Sequence, residues 1–146
     1  MPTAAKLVAA LSFAFAAWVV CIVLEGLLPE AQRLGQMYPV SILIGALGGW
    51  YVSGAAPRAS MVEAATTGLR TATIITICAL FAFAIGTMLQ VAMRGLYGGP
   101  MEAFLDIFNE FMDFGAMILN VPTLATIALS GIIAGMVTEA AGRRWR

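Results

Sequence analysis

Four stretches without a single charged residue, Leu7 to Leu24, Leu34 to Pro57, Thr71 to Met93 and Phe114 to Thr138, dictate what this chain can become. Each can carry a helix through a hydrocarbon core, which takes about 20 mostly apolar residues. The expected fold is all-α: a four-transmembrane-helix bundle with spans at about 4–28, 37–56, 68–93 and 114–138, and a short interfacial amphipathic helix at about 100–113 between the third and fourth. Charged residues make up 11% of the sequence, against about 25% in an average soluble domain. Four spans in 146 residues leave little chain for a separate soluble unit, so 1–146 reads as one integral membrane domain.

The net charge is zero, but its distribution is informative because Lys/Arg bias between short loops sets orientation. With alternating spans, one side holds Lys6, Arg58, Arg70, Arg143, Arg144 and Arg146, and the other Arg33 and Arg94. This asymmetry predicts cytoplasmic termini, with Glu25, Glu30 and the four acids between Gly98 and Asp113 outside. The first apolar run is longer than the core of a typical signal peptide, so it reads as a retained span. Cys21 and Cys78 lie at depths that differ by about 10 Å along their spans, which does not suit a disulfide. They read as small buried residues.

Within the spans, the informative residues are small. Gly45 and Gly49 are spaced i, i+4 in a second span that also carries Pro39, Gly48 and Gly54. Gly131 and Gly135 repeat that spacing in the fourth. Such pairs let helix backbones approach closely, so all four are expected at helix contacts, within the bundle or in a homo-oligomer. Ser60-Met-Val-Glu63 is a capping-box pattern that starts a helix well before the third span. A helix from there to about Arg94 would be about 50 Å long. Pro122, eight residues into the fourth uncharged run, is expected to kink that span, with Asn120 and Thr126 near the freed carbonyl.

The stretch Gly98 to Asp113 combines charge and apolar bulk. With Pro100 at the first helical position, Glu102, Asp106, Asn109, Glu110 and Asp113 fall on one face at 100° per residue. Met101, Phe104, Leu105, Phe108, Phe111 and Met112 fall on the other. The four carboxylates Glu102, Asp106, Glu110 and Asp113 are half of all the acids in the chain. On one straight helix they cannot wrap a calcium ion, which takes six to eight oxygens. They read as the wet face of an interfacial helix, and as the best surface for a cation or a basic partner.

Much chemistry is missing. The chain has no histidine, which removes paired imidazole haem ligation, most zinc sites and the usual general base. Neither a phosphate-cradling glycine loop nor a dinucleotide fingerprint appears, and no long basic tract suits nucleic acid. The sequence therefore predicts no enzyme, no cofactor and no metal. The expected partners are the lipid bilayer and a homo-oligomer or larger membrane complex.

Several motifs together resemble a known family. They are Met1-Pro-Thr-Ala-Ala-Lys-Leu-Val-Ala-Ala10, Pro39-Val, Gly49-Trp50, Tyr97-x-Gly-Pro-x-Glu-Ala103, and Gly131-Ile-Ile-Ala-Gly135 leading to Arg143-Arg-Trp145. The pattern is similar to the TrgA family of bacterial tellurite-resistance-associated membrane proteins. The resemblance implies a small inner-membrane protein linked to resistance to tellurite, an oxyanion. It supplies no catalytic or binding residue.

Overall fold

The computed structural model describes residues 3–27, 37–54, 60–95 and 98–144. Glu30, Arg33, Arg58, Tyr97, Trp145 and Arg146, which bear on orientation and resemblance, lie outside those residues. All regular structure among the described residues is helical: α1 (Thr3–Leu27), α2 (Met37–Gly48), α3 (Met61–Met93), α4 (Pro100–Ile118) and α5 (Val121–Arg144). Three helices, α1, α3 and α5, are each long and apolar enough to cross a membrane. With 12 residues, α2 alone extends about 18 Å, short of a core of about 30 Å. It continues into a five-residue π-helical turn, Gly49–Ser53, closed by the Gly54 N–H donating to the Gly49 carbonyl at 2.8 Å.

The contacts of α2 with α1 step regularly along both helices. Gly49 lies against the Ala9 carbonyl, and a Cβ at Gly45 would stand 2.7 Å from the Phe13 carbonyl oxygen. Farther along, Ser41 meets the Cys21 thiol, and the Tyr38 hydroxyl donates to the Glu25 carboxylate. As the number falls on one helix it rises on the other, so the pair is antiparallel. Glycine is required at 45 and 49 because the opposing group is backbone, which cannot rotate away. Gly48, on another side of α2, lies against Ile75 of α3.

A second close pair joins α3 to α5. Gly68 sits against the Gly131 carbonyl, a Cβ there would be 2.9 Å from the Gly135 Cα, and one on Gly131 would be 2.6 Å from the Ala72 Cβ. The face of Gly131 and Gly135 is thus covered by α3 of the same chain. Its partner, the Ala64, Gly68, Ala72 row, has the same small-residue spacing but only one glycine, and so stands out less in the sequence. Phe13, Ala72, Ile75, Ile127 and Ala134 form the core where α1, α3 and α5 meet, with Ile44 of α2 packed against it.

Helix ends follow local chemistry. Ser60 and Glu63 form the reciprocal cap that starts α3: the Glu63 N–H donates to Ser60 Oγ at 3.4 Å and the Ser60 N–H to Glu63 Oε2 at 3.0 Å. The threonines at 71, 73 and 76 donate to the carbonyls four residues back, which satisfies them without a neighbouring helix. The largest difference from the sequence expectation lies between α4 and α5. The amphipathic helix does not give way to a span at Asp113 but runs on to Ile118, and the break falls at Leu119–Asn120. Pro122 therefore sits in the first turn of α5, where no intrahelical N–H bond is lost, and kinks nothing. Asn120 donates to the Met117 carbonyl at 2.9 Å and Thr126 to Pro122 at 2.7 Å.

Candidate functional site

The helical periodicity that separates carboxylates from apolar side chains on α4 becomes, in three dimensions, a helix with three faces. One apolar strip packs on α3 through aromatic pairs: Phe111 on Phe81 with ring centroids 4.6 Å apart, and Phe114 on Phe83 at 6.2 Å. A second strip, Met101, Phe104, Leu105, Phe108 and Met112, is exposed on every member. The acids occupy the remainder. Phe111 thus parts from the other bulky residues with which periodicity groups it, because periodicity reports amphipathicity and not which part of a wide apolar face finds protein.

The docking level matters as well. Phe81 and Phe83 precede the end of α3 by about 15 to 18 Å at 1.5 Å per residue. The second half of α4 thus lies against the apolar body of α3 and not at its tip.

The four carboxylates differ in their surroundings. Glu102 ties the loop before α4 to the helix, with Oε2 accepting from the Gly98 N–H at 2.8 Å. Glu110, half-buried beside the α3 seam, has its carboxyl pushed up from the ordinary range, chiefly by burial and then by the negative charges of Asp106 and Asp113. Asp113 is exposed and Asp106 partly so. The arrangement is an acidic ridge with one member tied to the preceding loop and one partly desolvated member. It can meet a basic surface, and it gives an anion no purchase.

Elsewhere most polar side chains are engaged locally, but the Thr123 hydroxyl near the start of α5 is buried without a hydrogen-bond partner. A cavity of about 70 Å³ lies among α1, α2, α3 and α5, bordered by Phe13, Cys21, Ser41, Thr76, Ile127 and Ser130. Thr76 and Ser130 donate to carbonyls of their own helices. Ser41 and Cys21 face each other, and the rest of the wall is hydrocarbon. Both cysteines are free thiols; Cys21 is buried as expected, whereas Cys78 is exposed on the surface of α3. Among the described residues no group of three or more His, Cys, Asp or Glu side chains is placed to hold a metal ion. The chain matches no family model, no curated protein and no solved structure.

Proposed function

We propose that this chain is a small multi-pass protein of the bacterial inner membrane, associated with tolerance of tellurite, that works by holding a partner and not by catalysis. In this reading α2 with its π turn is a fourth crossing, both termini are cytoplasmic, and α4 starts on the external side and runs back along the outer part of α3. The excess of Lys and Arg beside one set of helix ends supports the orientation. The resemblance to the TrgA family supports the process. The observation that carries the mode of action is α4, which uses one apolar strip to dock on α3 and leaves an acidic ridge outside. An outward acidic ridge repels an oxyanion, so the reading does not make the chain a receptor for tellurite.

Deleting the gene and measuring tellurite tolerance together with cell-associated tellurium tests the process. A fall in tolerance restored by the plasmid-borne gene is expected, and unchanged values of both would sink the reading. The exposed apolar strip of α4, with acids beside it, also favours a related reading as an accessory subunit of a larger membrane complex. A native mass in mild detergent tests that role: a co-purifying integral membrane protein supports it, and a clean monomer or homodimer opposes it.

A further inference from the structure

The outer side of the α1/α5 contact carries a groove of about 460 Å³. Its floor is Ala16 and Ala134, both buried, and its walls are Leu11 and Phe15 on α1 and Ile133 and Val137 on α5, all exposed. Ser12 and Thr138 bring their hydroxyls to 3.5 Å from each other beside it. Both hydroxyls are also bonded to carbonyls of their own helices, so the groove presents almost pure hydrocarbon to its surroundings.

What distinguishes this groove from an ordinary lipid-facing crease is its end. Residues 130, 133, 137 and 144 fall on one stripe of a helix with 3.6 residues per turn, so the stripe that forms the α5 wall terminates in Arg144, which is exposed. The nearby acid does not neutralise it. Glu139 is on another face of α5, where its carboxylate is held by Arg143 at 3.0 Å. Lys6 has its stem against Gly54, on the α2 side of α1, and so stands apart from the groove. Arg144 stands about 10 Å past Val137 on that stripe, and one guanidinium beyond the end of an apolar groove matches a molecule with a hydrocarbon chain and an anionic head.

We infer that the α1/α5 groove is a binding site for one anionic phospholipid, its acyl chain along the groove and its phosphate at Arg144. The inference rests on the membrane reading of the helices and is independent of tellurite. The full chain is reconstituted in vesicles of equimolar phosphatidylglycerol and phosphatidylcholine with identical acyl chains. It is then extracted in mild detergent, and the retained lipids are counted by native mass spectrometry.

One phosphatidylglycerol per chain is expected, preferred about fivefold over phosphatidylcholine, the factor that about 1 kcal/mol from one basic residue at the membrane surface supplies. Arg144→Gln should bring the ratio to about one, Arg143→Gln should leave it unchanged, and Leu11→Ala with Ile133→Ala should lower retention of both lipids. Equal retention of the two lipids by the unaltered chain overturns the inference. So does a preference that survives Arg144→Gln or is lost equally with Arg143→Gln, or a homodimer that seals the groove without lipid. In all those outcomes the chain still floats with the vesicles; a chain that does not float overturns the membrane reading itself, and this inference with it.

Discussion

Gly68→Ala is expected to lower the stability of the purified protein by about 1 to 3 kcal/mol, and Gly68→Leu to prevent α3 and α5 from closing at all. The reason is the nature of the obstacle. A Cβ at 68 meets the Gly131 carbonyl and stands 2.9 Å from the Gly135 Cα, and neither atom can turn aside as a flexible side chain could. To relieve the overlap the helices must separate along the whole crossing, which also loosens Ala72 against Gly131.

Gly86 supplies the control on the same helix. A Cβ there has nothing within 4 Å, so Gly86→Ala should be neutral or stabilising by up to about 1 kcal/mol through helix propensity. Unfolding in mixed micelles titrated with dodecyl sulfate, followed by tryptophan fluorescence, measures both. Equal effects at 68 and 86 would mean that α3 and α5 do not meet through glycine.

The second large effect is expected at Phe13. Its side chain is 1% exposed, packs in the core shared by α1, α3 and α5, and already borders the 70 Å³ cavity. Phe13→Ala should cost about 3 to 5 kcal/mol, with Phe13→Leu well below that because most of the volume is kept. In a bilayer the loss is not one of shielding from water, since lipid is as apolar as the core. It is a loss of dispersion contacts around a void that the rigid helices cannot collapse. The same dodecyl sulfate titration reads it, and a cost under about 1 kcal/mol would show that this core carries little of the fold.

The long apolar helices were legible because a run of about 18 or more residues without charge is the mark of a segment that hydrocarbon must solvate. The Ser60/Glu63 cap was legible because its two hydrogen bonds are local. Gly45, Gly49, Gly131 and Gly135 were legible as contact positions by spacing alone. The identity of the opposing face was not. Gly68 gave a weaker form of that signal, because Ala64 and Ala72 at the same spacing stand out less than a second glycine.

The junction of α4 and α5 was not legible for a related reason. The uncharged run from Phe114 begins inside α4, so charge locates the end of the acidic face and not the end of the helix. The division of the α4 apolar face between α3 and its surroundings is tertiary information, and so is the partial burial of Glu110. The Glu102 bond to the Gly98 N–H is local, but the acidic periodicity of the same helix masks it.

In the proposed topology the acidic ridge of α4 and the basic end of α5 lie on opposite sides of a membrane, with the ridge outside. Single cysteines introduced as Asp106→Cys or Arg144→Cys, after Cys21 and Cys78 are replaced by alanine, report it directly in intact cells with an impermeant thiol reagent. The account predicts labelling of the Asp106→Cys protein at once and of the Arg144→Cys protein only after the cells are opened. Labelling of the Arg144→Cys protein alone, or of both in unbroken cells, would contradict it.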